Sequence, residues 1–151
     1  MFTTVRYFVK TSIIFLVLGI LTGLHLSFAK YISQVSYSQE LISAHTHIIL
    51  VGSVMMMIMG VALWFFPRAE KNDKKYSPNL ILGTYWMMTI STLTRFITQV
   101  IGSYYYIPWI NVTIAISSTF QVIAMILFFY SMWGRIRAVG SQYREAKGEN
   151  F

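Results

Sequence analysis

Ala44-His45-Thr46-His47-Ile48-Ile49-Leu50-Val51-Gly52 opens an apolar run that continues to Trp64-Phe65-Phe66-Pro67-Arg68. The run exceeds the ~20 residues that a helix needs to cross the hydrocarbon core of a bilayer. Two of the three histidines in the chain sit near one end of it, two residues apart. Ionisable side chains inside a membrane span are costly, so such a pair marks a functional site. Imidazole is also well suited to hold a transition metal or a heme iron.

Working outward, three more stretches share this character. The four run over Phe8 to Ile32, Leu41 to Phe66, Asn79 to Tyr106 and Pro108 to Trp133. In lipid each must satisfy its backbone polar groups within itself, which predicts four α-helices. Composition agrees: of 151 residues, 56% are hydrophobic, 17% aromatic and only 11% charged, which excludes an ordinary soluble domain. The predicted fold is all-α, an integral membrane four-helix bundle forming a single domain over 1–151, with a cytoplasmic tail over 134–151.

The net charge of +7 has a pattern. Arg6 and Lys10 precede or open the first stretch; Arg68, Lys71, Lys74 and Lys75 lie between the second and third; Arg135, Arg137, Arg144 and Lys147 follow the fourth. The other connections carry only Lys30, with Glu40. This is the positive-inside distribution, and it predicts that both termini and the second-to-third loop are cytoplasmic. The basic surface is read as a topology signal against lipid headgroups, with no nucleic acid as partner. Trp64, Phe65, Phe66 and Trp133 would mark the inner interface, and Tyr31, Tyr37, Tyr104-Tyr105-Tyr106 and Trp109 the outer one. The first stretch is long and lacks an A-x-A-like exit, so it is expected to be a retained helix. With no cysteine in the chain, disulfides, thiolate metal sites and covalent c-type heme attachment are excluded.

This topology places His25, His45, His47, Arg95 and Gln99 in the outer half of the membrane. His45 and His47 are ~200° apart around a helix. They are therefore expected to address different neighbours rather than chelate one ion. The i, i+4 spacing of a zinc-binding H-E-x-x-H helix is absent. Gly52, seven residues after His45, is expected beneath it on the same face, leaving room for a flat macrocycle or a close helix. Gly19 and Gly23 form a G-x-x-x-G pattern read as helix packing. Met55, Met56, Met57 and Met59 spread around the helix and are read as adaptable packing.

The stretch from Ala44-His45-Thr46-His47 through Gly52, Gly60 and Trp64-Phe65-Phe66-Pro67-Arg68 resembles the tenth transmembrane helix of the heme–copper oxidase catalytic subunit. It is most similar to the cbb-type cytochrome oxidases and their nitric oxide reductase relatives. Tyr85-Trp86 is similar to an aromatic pair at the start of that family's eleventh helix, so the chain resembles the last four of twelve helices. The resemblance implies that His45 ligates a high-spin heme and His47 a low-spin heme. It implies heme b as cofactor, with copper the weaker alternative, since the family's copper-ligating helices have no counterpart here. The family's propionate-binding arginine pair is also missing, and Arg95 is expected to stand in for it. Its twelve helices form three similar four-helix arcs, which implies a homotrimer of this chain with heme at a subunit interface. The expected tasks are electron transfer or binding or reduction of nitric oxide or oxygen, with a redox partner, in a bacterial inner membrane. Whether the chain is an enzyme is left open. His25 is given packing or support of a ligand ahead of ligation. The competing readings are a cofactor-free structural or assembly subunit of a respiratory complex, and a copper- or zinc-binding membrane protein.

Overall fold

A computed structural model describes residues 2–66, 77–136 and 147–148. Four helices carry the chain: α1 (Phe2–Tyr31), α2 (Gln39–Phe65), α3 (Pro78–Gly102) and α4 (Trp109–Met132), the last extended by a 3-10 turn over Trp133–Arg135. The described residues contain no strand. Three segments, Thr3–Tyr31, Gln39–Phe65 and Trp109–Arg135, are long and apolar enough to cross a membrane. At 25 residues α3 is comparably long, but it is the most polar of the four, carrying hydroxyls along its length with Arg95 and Gln99 toward its end.

The helix ends follow local chemistry. Ser38 caps α2 by accepting from the Leu41 N–H at 3.3 Å, and Glu40 in the first turn suits the positive end of the helix dipole. Pro78 opens α3, where its missing N–H costs nothing. The third helix stops at Gly102 rather than reaching Tyr106. The Ser103 N–H and hydroxyl both turn back to the Gln99 carbonyl, at 3.0 and 2.8 Å, leaving Tyr104–Tyr106 in the connection. The first helix starts at Phe2, earlier than the apolar run, because polarity at Thr3, Thr4 and Arg6 does not oppose helix formation outside the hydrocarbon layer.

Inside α2, residues Ile48–Met55 form a π-helix between the α-helical pieces Gln39–His47 and Met56–Phe65. Its hydrogen bonds run i→i+5, so each spans one residue more than in the flanking turns. No apolar periodicity announces it.

Extensive packing joins α1 to α2, α2 to α3 and α3 to α4. The α1–α2 seam is an antiparallel ladder held close by glycines from both sides. Gly23 lies against His45, Gly19 against Ile49, Gly52 against Phe15 and Gly60 against Phe8. A β-carbon on Gly52 would approach Phe15 and Thr92 to 2.9 Å each. Of the two occupants expected beside Gly52, a macrocycle or a close helix, it is neighbouring helices that take the space. Gly52 shares the α1-facing side with His45, although the π-helix lies between them.

The core gathers toward the end of the bundle that holds Phe8 and Leu63: Phe8, Met56, Met59, Leu63, Tyr85 and Phe128 are buried together. Tyr85 meets Phe8 edge-on and accepts or donates a 2.9 Å hydrogen bond with Thr11. Phe8 also meets Phe128, at 5.9 Å between ring centres, bringing α4 to α1. Aliphatic side chains such as Ile14, Val17, Ile20, Leu21 and Leu24 on α1 face outward, as lipid contact requires. Trp64, Phe65 and Trp133 are exposed at one end, and Tyr31, Tyr104–Tyr106 and Trp109 at the other.

Arg135 corrects the reading of the basic residues. It is only 2% exposed and reaches back from the end of α4 to the Leu63 and Phe66 carbonyls, at 3.5 and 3.3 Å. These are orphan acceptors at the C-terminus of α2. Arg135 is thus more deeply buried than Arg95, which is half-buried. Arg68, Lys71, Lys74, Lys75, Arg137 and Arg144, with most of the tail, lie outside the described residues.

Candidate functional site

His45 and His47 lie in the last α-helical turns of α2 before the π-helix, and they point to different neighbours. His45 faces α1. Its Nδ1 donates to the Gly19 carbonyl at 2.9 Å, and its ring rests on Gly23, where a β-carbon would lie 2.6 Å from Cε1. The glycines of the G-x-x-x-G pattern therefore do more than let two backbones approach. One supplies an acceptor and the other a bare surface for the imidazole.

His47 faces α3. Arg95 Nη2 donates to His47 Nε2 at 2.9 Å. Arginine carries donors only, so Nε2 is the accepting nitrogen and Nδ1 bears the proton. Nδ1 donates to the Ser43 carbonyl at 2.9 Å, with the Ser43 hydroxyl 3.3 Å away.

A polar chain extends from this pair in both directions. Outward, Gln99 Nε2 donates to the Ser43 hydroxyl at 2.8 Å and to Glu40 at 3.3 Å. Inward, Arg95 Nη1 donates to the Gln121 side-chain oxygen at 3.2 Å, and Gln121 in turn donates to the Thr92 hydroxyl at 3.0 Å. About two turns of α3 supply three members of this chain, Thr92, Arg95 and Gln99, which accounts for part of that helix's lower apolar content. Two of its buried atoms, Arg95 Nε and Gln99 Oε1, lack a partner. Both hydrogen-bond partners of Arg95 are neutral.

His25 stands apart from this chain. It is exposed on α1, bonds the Tyr104 hydroxyl through Nε2 at 3.1 Å, and lines a cavity of about 420 Å³ with Phe28, Tyr37 and Leu41. Among the described residues, no three His, Asp or Glu side chains converge on a common point. The methionines pack: Met56 and Met59 are fully buried, and the Met57 sulfur accepts from Ser12 at 3.7 Å.

Heme chemistry can be tested against these donors. An axial imidazole offers one nitrogen to iron while the other is held by a hydrogen bond that fixes tautomer and ring orientation. Both His45 and His47 have Nδ1 on a backbone carbonyl, so both carry the lone pair on Nε2. The donor set fits. At His47 that lone pair is engaged by Arg95. Gln121 and Gly23 were missed in the sequence, since a lone glutamine on an apolar helix and a glycine in a packing pattern carry no signal of their own.

No curated protein and no solved structure matches the chain. Residues 2–147 match the family described as Cytochrome C and Quinol oxidase polypeptide I. That match covers nearly the whole chain, including both histidines and Arg95, and the chain belongs to the Cytochrome C and Quinol oxidase polypeptide I family.

Proposed function

We propose that this chain is a membrane protein that binds heme b through histidine and serves in electron transfer or in binding or reducing a diatomic gas. One observation carries the reading. Two imidazoles within one helical turn hold Nδ1 on backbone carbonyls and keep Nε2 as the lone-pair nitrogen, facing different helices. Membership in an oxidase family supports heme as the ligand. His45 would hold one heme, and His47 a second heme or a second copy's heme. When bound, the heme would supply one-electron redox chemistry or an iron position for a gas. The protein would supply the axial nitrogens, and Arg95 a cation for a propionate.

In this reading α3 is a fourth span, both termini are cytoplasmic, and three copies associate around the heme sites. A cofactor-free assembly subunit is the second reading. The bond from Arg95 to His47 favours it, because that bond already satisfies the imidazole without iron.

The test is an absorption spectrum of detergent-purified protein, oxidised and reduced, with and without carbon monoxide. Sharp reduced α and β bands unmoved by gas indicate bis-histidine heme and electron transfer. A Soret band that shifts with gas indicates an open iron position. Absence of a Soret band after heme supplementation removes the heme reading in favour of the assembly subunit. The mass of the particle in the same preparation tests the trimer.

A further inference from the structure

Arg95 holds the very nitrogen of His47 that an iron would take, at 2.9 Å. We propose that Arg95 is a placeholder for heme iron at His47: it keeps the ring in its ligating tautomer and orientation, and it yields Nε2 when the cofactor is loaded. The inference rests on the reading of His47 as a heme ligand.

The geometry separates what would stay from what would leave. On the Nδ1 side, His47 is tied to the Ser43 carbonyl, and Ser43 is tied to Gln99 and through it to Glu40. None of these contacts involves Nε2, so the ring orientation survives the loss of Arg95. On the Nε2 side there is a single flexible side chain. Withdrawal of the Arg95 guanidinium breaks two hydrogen bonds, Nη2–H to His47 Nε2 and Nη1–H to the Gln121 side-chain oxygen, and the incoming carboxylate takes the freed donors. The Nε2 lone pair then forms the coordinate bond to iron. No proton moves: Nδ1 keeps its hydrogen on Ser43, and the guanidinium keeps its charge.

Arg95 is also poorly matched to its resting position. Its Nε is buried without a partner, and its two hydrogen-bond partners carry no charge. Arg95 is half-buried, and the nearest carboxylate, Glu40, acts on it without a direct hydrogen bond, so its unpartnered Nε favours an incoming carboxylate that can bond it directly. Heme brings two carboxylates together with the iron. The ligand that needs Nε2 vacated therefore carries the group that draws Arg95 away. A purely structural arginine–histidine pair predicts the reverse, that removing Arg95 loosens His47 and weakens any ligand there.

The experiment uses the full chain, prepared without heme in detergent or nanodiscs and titrated with ferric protoporphyrin IX. Wild type, R95Q, R95K, H47Q and R95Q/H47Q are followed by Soret absorbance against time and by the spin state of the bound iron. Nitrogen-15 spectra of the histidines are recorded before and after loading. In wild type, a His47-dependent low-spin phase is expected, absent in H47Q. In R95Q that phase should be about tenfold or more faster, the scale of one hydrogen bond to a charged group. R95K, which keeps the charge but not the planar fork, should fall between them and serves where R95Q does not fold. Loading should abolish the hydrogen-bond signature at His47 Nε2 in wild type.

A His47-dependent phase that is unchanged or slower in R95Q or R95K, with the helices intact by circular dichroism, overturns the placeholder and leaves His47 as a ligand. No His47-dependent phase in any variant overturns both. In that case H45Q decides whether heme is bound elsewhere on the chain.

Discussion

A β-carbon on Gly23 would sit 2.6 Å from Cε1 and 3.2 Å from Nδ1 of His45. The obstructing atoms belong to a ring whose Nδ1 is tied to the Gly19 carbonyl at 2.9 Å, so the ring has little freedom to give way. Gly23→Ala is expected to push the imidazole off its acceptor. Overpacking of this kind costs about 1–3 kcal/mol. The fold should survive, while ligand binding through His45 weakens. Thermal unfolding and heme titration of the same variant separate the two effects.

Gly52 poses the same question further along α2, where two helices close on it. Phe15 and Thr92 would each stand 2.9 Å from an added β-carbon, and both belong to packed surfaces. Gly52→Val should therefore spread α1, α2 and α3 and lower the midpoint of thermal unfolding more than Gly23→Ala does. Gly83 is the control. Nothing lies within 4 Å of a β-carbon there, and the residue is in the interior of α3. Gly83→Ala should stabilise by about 0.5–1 kcal/mol through helix propensity.

Arg135 should matter although it is remote from both histidines. Its guanidinium reaches the Leu63 and Phe66 carbonyls and the Met132 sulfur while almost wholly buried. Arg135→Ala leaves buried acceptors unpaired, at about 1–3 kcal/mol per group. The expected result is a lower unfolding midpoint with an unchanged heme spectrum. A changed spectrum would show that the two ends of the molecule are coupled.

Tyr85→Phe removes only the hydroxyl that bonds Thr11 at 2.9 Å and keeps the ring against Phe8. The loss should be modest, about 0.5–1.5 kcal/mol. Tyr85→Ala should be far worse, since it empties the junction of α1, α3 and α4. Chemical denaturation of the two variants checks the ratio.

The sequence already carried the helices, the exposed aromatic belts at both ends and the opposed directions of His45 and His47. Each follows from a local rule: apolar length, the amphipathic preference of tryptophan and tyrosine, and the angle between residues i and i+2. It carried Arg95 as a cation within a membrane span but not its partners, because His47, Gln121 and Arg95 come from three different helices. Arg135 was hidden for a related reason. In the sequence it is one more basic residue after a span, and only the return of α4 to the end of α2 buries it. The π-helix had no sequence signal, since Ile48–Met55, apolar except for Gly52 and Ser53, reads the same in either helical form.

That π-helix makes α2 two rulers joined end to end. Above it, the histidines are spaced by ordinary α turns; below it, Met56–Phe65 count in α turns again, but from a displaced origin. A family member lacking one residue between 48 and 55 could run as an unbroken α-helix and still set its histidines against the same neighbours. Such a deletion would shorten the slack without moving either end's partners. Residue-for-residue alignment across this stretch would then shift by one, and the glycine that appears equivalent to Gly52 would be its neighbour in space.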